Sequence, residues 1–189
     1  MTPAADTRRQ RLLDLLAQRS FRTGRFTLAS GRESPYYVDA RPTTMSAEGL
    51  ALVGELGLEA IRASGWAPAL VGGLTLGADP GAYAVAMASR AHPPTVDAFT
   101  VRKEPKAHGA GRRIEGPLQA GNAVAIVEDV ITTGGSALTA AAAVLEAGGT
   151  VVGVLAVVDR QEGGRERIEA AGYPVTALVA LPELIARAG

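Results

Sequence analysis

The sequence predicts an α/β fold with a mainly parallel central sheet flanked by helices. Three observations point there. Short apolar runs alternate with helix-length segments along most of the chain. Several of those runs end in turns rich in glycine and hydroxyl side chains. Finally, 47% of the 189 residues are hydrophobic but only 4% are aromatic, so the core must be built of Ala, Val and Leu, which suits close packing of helices on a sheet. The length is most simply one domain over residues 1–189, large enough for a substantial core.

Leu12, Leu13, Leu15 and Leu16 recur at helical spacing among Arg, Asp and Gln, which predicts an amphipathic first helix lying across the body of the domain. Residues 21–41 are turn-rich and polar-aromatic, with Gly24, Gly31 and Pro35. Ser46, with Gly49 nearby, opens a helix that reaches about Ala63 and is stopped by Ser64-Gly65. A short buried strand follows over Ala69–Gly73, then a helix over Ala78–Arg90 and a strand over Val96–Val101. Arg102–Gly116 reads as a charged, glycine-rich loop. After it come a strand at Ala123–Glu128 and a helix at Gly135–Ala147, ended by Gly148-Gly149 as a C-terminal cap. The remaining elements are strands at Val151–Val158 and Val175–Val179 and helices at Glu162–Ala170 and Pro182–Arg187.

Composition removes several classes of function. The formal net charge is zero and the pI is about 6.8, so there is no overall electrostatic footprint for nucleic acid or an anionic membrane. The absence of cysteine excludes disulfides and thiolate metal sites. Residues 1–10 are polar, and no apolar run approaches the length of a membrane span. The expectation is a soluble, cytoplasmic protein.

The most informative segment is Val124-Ala125-Ile126-Val127-Glu128-Asp129-Val130-Ile131-Thr132-Thr133-Gly134-Gly135-Ser136. A strand, a loop and a helix follow one another here, and in a parallel sheet ligands sit at the strand's carboxyl end. Unpaired N–H groups at the start of the next helix attract anions. Gly134 and Gly135 let backbone approach an anion, and Thr132, Thr133 and Ser136 add hydroxyl donors. Ionised Glu128 and Asp129 only accept hydrogen bonds, so beside a phosphate they call for sugar hydroxyls or a cation. The expected ligand is a phosphate joined to a polyol. Strand, loop and helix with some Gly and Thr is a common arrangement; the acid pair is what makes this one specific.

A second cluster lies in the loop Arg102-Lys103-Glu104-Pro105-Lys106-Ala107-His108-Gly109. The chain has 19 basic side chains, and its only two lysines, Lys103 and Lys106, stand here three residues apart beside one of the two histidines. Arg102, Lys103, Lys106 and His108 form a polyvalent cation group suited to a leaving diphosphate. Gly109, Gly111 and Gly116 supply the hinges of a closing lid. A solvated basic loop is the plain alternative. A third segment, residues 26–41, carries Tyr36 and Tyr37 next to a Ser-Gly turn; such rings stack on a flat heterocycle, or serve simply as core.

The first segment resembles the 5-phosphoribosyl 1-diphosphate (PRPP) signature of type I phosphoribosyltransferases. Neither a P-loop nor a dinucleotide fingerprint is present. The lysine loop resembles that of one branch, the orotate phosphoribosyltransferases, whose Arg-Lys-x-x-Lys-x-His-Gly pattern is complete here. The segment 26–41 and Asp159-Arg160-Gln161-Glu162 are similar to the base-binding parts of the same family. Together the likenesses run from about residue 21 to 163.

The resemblance implies that fold with a small N-terminal hood, residues up to about 45 forming the first helix and hood and 46–189 the core. It implies transfer of the phosphoribosyl group from PRPP to N1 of orotate, giving orotidine 5′-phosphate and diphosphate, with Mg²⁺ carried on the PRPP and Asp129 a candidate for touching it. It implies PRPP contacts at Arg102, Lys103, Lys106, His108 and Glu128, Asp129, Val130, Ile131, Thr132, Thr133, Gly134, Gly135 and Ser136. Orotate contacts are implied at Tyr36, Tyr37, Thr132 and Arg160, with Arg160 on the orotate carboxylate. Catalysis is implied for Arg102, Lys103, Lys106, His108 and Asp129. The family acts as a homodimer, with Arg102, Lys106 and His108 serving the partner's site and Lys103 its own.

Two departures bear on the diphosphate. Ala29 stands where many members have lysine, and the loop Gly72-Gly73-Leu74-Thr75-Leu76-Gly77-Ala78-Asp79 lacks another. Gly72 and Gly73 are then expected to present backbone N–H groups instead. The rival readings are a purine or other phosphoribosyltransferase and a non-catalytic PRPP-sensing regulator.

Overall fold

The computed structural model describes residues 3–27, 31, 33–104 and 113–189. The chain runs α1 (Pro3–Arg19), β1 (Phe21–Thr27), β2 (Glu33–Val38), α2 (Arg41–Thr44), α3 (Ala47–Ala63), β3 (Leu70–Leu74), α4 (Ala78–Ala91) and β4 (Asp97–Val101). It continues β5 (Ile114–Glu115), β6 (Ala123–Ile131), α5 (Gly135–Glu146), β7 (Thr150–Asp159), α6 (Gly164–Ala170), β8 (Val175–Ala180) and α7 (Leu181–Ala188).

Six strands form the main sheet in the order β5-β4-β3-β6-β7-β8. All neighbours are parallel except β4 and β5, which are antiparallel. From β3 the chain winds outward through α4 to β4 and β5; it then returns to the other side of β3 and winds the opposite way through β6, β7 and β8. The winding reverses between β3 and β6, and at such a point the loops leaving two adjacent strands part and open a crevice at the sheet's carboxyl edge.

Alternation along the strands supplies both faces. Ala125 and Val127 of β6, with Leu155 and Val157 of β7, join the core formed with α1, α3, α4 and α7. Val124 and Ile126, with Val154 and Ala156, join the opposite core with Ala137, Ala140 and Val144 of α5 and Ile168 of α6. Two predicted caps have the expected geometry. The Gly49 N–H donates to Ser46 Oγ at 3.2 Å at the start of α3. After α5, Gly148 has φ 78° and its N–H reaches the Leu145 carbonyl at 2.9 Å, while the Gly149 N–H reaches Val144 at 2.9 Å, a Schellman closure.

Three elements differ from the sequence expectation. Residues 21–38 form an antiparallel hairpin, pairing Phe21 with Val38 and Thr27 with Glu33. Only one face of it is anchored, by Phe21 and Val38 in the core, so its strands lack the alternation that marks a strand in sequence. Strand β6 passes through the acid pair to Ile131, because Glu128, Val130 and Ile131 pair with Ala156, Val158 and Asp159 of β7. The loop predicted over 102–116 ends in β5, whose Ile114 and Glu115 pair with Val101 and Thr100. Among the described residues no helix is long and apolar enough to cross a membrane.

Candidate active site

The crevice at the switch point is a cleft of about 250 Å³. Its walls come from Tyr37, Val38, Asp39 and Arg41 after the hairpin, from Leu74, Thr75, Leu76 and Gly77 after β3, and from Lys103 after β4. Glu128, Asp129 and Val130 of β6, with Thr132 and Ser136 beyond it, complete the lining.

The acid pair sits in the sheet, which governs its charge. Glu128 is only 6% exposed, and burial pushes its carboxyl well above the ordinary glutamate range, reinforced by the neighbouring Asp129 charge and a hydrogen bond between the two side chains. Burial also raises Asp129, but the Val130 N–H donating to Oδ1 at 2.9 Å and the bond from Glu128 oppose the rise. Of the two carboxyls Glu128 is therefore the one more strongly disposed to keep its proton, which the bond directs towards Asp129. Asp129 rests on the loop after β3: a β-carbon at Gly77 would stand 2.5 Å from its Oδ1.

Beyond β6 the chain makes the turn into α5. Gly134 takes the left-handed conformation, φ 73°, and the first bond of the helix is Leu138 N–H to the Gly134 carbonyl at 3.1 Å. The N–H groups of Gly135, Ser136 and Ala137 thus precede the helical ladder and point out of its first turn, where an anion is favoured. Thr132 and Ser136 bring hydroxyls to the same place. Thr133 is exposed, and its carbonyl accepts from Arg167 Nη1 at 3.2 Å, tying the turn to α6. Ile131 puts its side chain in the core, 1% exposed.

Gly72 and Gly73 require a correction. Both lie inside β3, where Gly72 pairs with Phe99 on one side and Ile126 on the other, and Gly73 pairs with Thr100. A side chain there would collide with the Phe99 and Val127 carbonyls, so these glycines serve close strand packing and not the ligand. The cleft wall they were expected to form belongs to Thr75, Leu76 and Gly77. That loop is held by Asp79 at the start of α4, which accepts from Thr75 Oγ1 at 2.6 Å and from Thr100 Oγ1 at 2.8 Å. Tyr83 Oη lies 2.7 Å from Thr100 Oγ1. A threonine four residues before an acid at a helix start was the available signal for this link.

The tyrosines separate. Adjacent residues of a strand face opposite ways, so Tyr36 stacks on Phe21 with centroids 5.6 Å apart against the core, while Tyr37 faces the cleft with Phe26 beside it at 5.4 Å. They do not form one stacking platform. Arg160 is 4% exposed and lies behind β2: Nη2 donates to Glu162 at 2.7 Å, to Ser34 Oγ at 3.2 Å and to the Tyr36 carbonyl at 3.4 Å. It braces the hairpin and does not line the cleft. Lys103 does line it, while Arg102 pairs with Glu115 at 2.8 Å. Lys106 and His108, like Ala29, lie outside the described residues. Asp39 and Arg41, which the sequence did not single out, line the cleft as an ion pair at 2.8 Å.

No family model matches the chain. Relatives do. The orotate phosphoribosyltransferase of Aquifex aeolicus is 48% identical over 180 residues, covering 94% of this chain and 97% of that protein. The crystal structure of Mycobacterium tuberculosis orotate phosphoribosyltransferase with Fe(III) dicitrate superposes with a TM-score of 0.80 at 47% identity, covering 94% of this chain and 98% of that one. The structure of the same organism's enzyme in complex with PRPP gives a TM-score of 0.74 at 40% identity, covering 94% and 92%. With a crevice at the switch point, an acid pair beside the open first turn of α5 and relatives of this closeness over nearly the whole length, the chain belongs to the orotate phosphoribosyltransferase family.

Proposed function

We propose that this chain transfers the 5-phosphoribosyl group of PRPP to N1 of orotate, releasing diphosphate and orotidine 5′-phosphate in pyrimidine synthesis. The observation that carries the reading is the acid pair and the open first turn of α5 in one cleft, within a chain 48% identical to a named orotate phosphoribosyltransferase.

The 5-phosphate is placed on the N–H groups and hydroxyls of residues 132–136, and the ribose hydroxyls on Glu128 and Asp129. The C1 carbon then faces the open part of the cleft. As the bond from C1 to the diphosphate oxygen breaks, its electron pair leaves with the diphosphate, and orotate N1 supplies the pair for the new bond while its proton is released to water. Positive charge builds on the sugar and negative charge on the leaving group. Asp129 at the ribose favours the first, and the cations of residues 102–108 favour the second. One well-aimed donor to a developing charge contributes about 10²–10³ in rate. Tyr37, Thr132 and Arg160 are assigned to orotate, with Arg160 reaching its carboxylate once released from part of its present network.

The donor set fits Mg²⁺ carried by the substrate. Among the described residues no group of three metal-binding side chains exists, but the Asp129 carboxylate stands in the cleft, and Mg²⁺ is commonly held by one or two carboxylates plus substrate phosphates. When bound, the ion supplies charge neutralisation on the diphosphate. The proposed assembly is a cytoplasmic homodimer in which Arg102, Lys106 and His108 act in the partner's site.

The test is diphosphate release from PRPP with Mg²⁺, across orotate, uracil, adenine and hypoxanthine. Orotate alone is expected to support turnover; release with a purine and none with orotate would move the chain to another branch of the fold. As an arm of the same assay, Lys106→Ala and Asp129→Asn are each expected to be inactive, and their mixture to regain activity through heterodimers. No recovery would count against the shared loop.

A further inference from the structure

The cleft contains a cation whose setting marks it as a ligand-binding group. Arg41 opens α2, and Asp39 grips it three times: its N–H donates to Asp39 Oδ1 at 3.1 Å, Nε to Oδ1 at 2.8 Å and Nη2 to Oδ2 at 2.8 Å. Those bonds hold the Asp39 carboxyl below the ordinary aspartate range, so the pair stays ionised and fixed. A guanidinium has five N–H donors, and this clamp uses two, leaving three. Among the described residues the Arg41 guanidinium has no other hydrogen-bond partner, and the side chain is 46% exposed at the cleft wall.

Charge bookkeeping in the cleft shows what those donors suit. The carboxyls lining it are Asp39, Glu128 and Asp129, and its described cations are Arg41 and Lys103. A polyanion entering needs both. On the reading above, the 5-phosphate takes the start of α5, so the remaining charge of PRPP falls beyond the acid pair. Arg41 is close enough to feel the Asp129 charge, and it lines the same cleft as Thr75–Gly77 and Lys103, whereas Arg160 does not. We propose that Arg41, preorganised by Asp39, binds the diphosphate of PRPP. A planar fork with donors on one edge held and the others free is suited to two phosphate oxygens at once. This inference rests on the proposed PRPP chemistry of the cleft.

Binding of diphosphate with Mg²⁺ and of ribose 5-phosphate, measured by calorimetry, and KM values for PRPP and orotate separate the possibilities. Arg41→Gln is expected to weaken diphosphate binding and raise the PRPP KM by about 10- to 100-fold, the loss of a charged hydrogen-bonding group. Ribose 5-phosphate affinity and the orotate KM are expected to stay within about twofold, because the phosphate and base contacts are elsewhere. Arg41→Lys keeps the charge without the fork and should recover part of the loss. It also serves if the glutamine variant folds poorly. Unchanged diphosphate affinity in Arg41→Gln, or a loss confined to orotate or to ribose 5-phosphate, overturns the assignment. If the unaltered protein binds neither PRPP nor diphosphate, the PRPP reading itself falls, which is a different outcome.

Discussion

Replacing Glu128 with glutamine is expected to raise the melting temperature of the ligand-free protein at neutral pH and to weaken its binding of PRPP. The two effects have one origin. Burial beside Asp129 raises the Glu128 carboxyl in the folded chain, whereas unfolding returns it to the ordinary glutamate range. Between those two values the folded state holds a proton that the unfolded state releases, so stability falls as pH rises. The contribution is fully favourable below about 4.5, the unfolded value, and is lost as pH climbs through the raised folded value. Glutamine has no proton to lose and still donates a hydrogen bond towards Asp129, as the protonated acid does.

A higher melting temperature is therefore expected at pH 7, with the gain shrinking as the pH falls towards the ordinary glutamate value of 4.5. Depressed acids such as Asp39 and Glu183 act in the opposite sense, but they are common to both proteins and cancel in the difference. PRPP affinity should drop by about 10- to 100-fold if Glu128 accepts from a ribose hydroxyl as an anion. Melting curves at several pH values check the first part and calorimetric titration the second. A variant less stable than the parent at pH 7 would mean that the buried acid is not raised.

The two glycines of the turn into α5 are expected to separate folding from binding. Gly134→Ala is expected to destabilise the protein by about 2–5 kcal/mol, combining a left-handed backbone with overpacking. The φ is 73°, and the new β-carbon would stand 2.7 Å from the Gly164 carbonyl oxygen and 2.9 Å from Ile168 Cγ1. Gly135→Ala meets only Thr133 Oγ1 at 3.7 Å, an ordinary contact. It enters the first helical position and should leave stability within about 1 kcal/mol or improve it slightly. If its N–H holds the 5-phosphate as proposed, the added methyl is expected to raise the PRPP KM in a protein that folds normally. Denaturant unfolding and steady-state kinetics on both variants test this contrast. Equal stability losses, or a Gly135→Ala protein with unchanged PRPP KM, would remove Gly135 from the phosphate contact.

The sheet and the turn from β6 into α5 were legible in sequence because they are written locally. Runs such as Val124–Val127 and the turn Thr132–Ser136 specify strand, loop and helix through neighbours only, and four segments of this kind fix the winding. What was hidden depends on contacts between distant segments. The hairpin of β1 and β2 draws its order from Phe21 and Val38 in a core built by later elements. Gly72 and Gly73 resembled loop glycines until the flanking strands β4 and β6 stood against them. Tyr36 and Tyr37 looked like a pair in sequence, but strand geometry sends them to opposite faces. Arg41 and Asp79 were unremarkable side chains until the fold set one in the cleft and the other under its wall.

The most direct test is a crystal structure of the protein with PRPP and Mg²⁺. The expected complex has the 5-phosphate on the N–H groups between Thr133 and Ala137, the ribose hydroxyls on Glu128 and Asp129, and the diphosphate towards Arg41 and Lys103. A phosphoribosyl group seated away from the acid pair, or reversed so that the diphosphate occupies the start of α5, would contradict it.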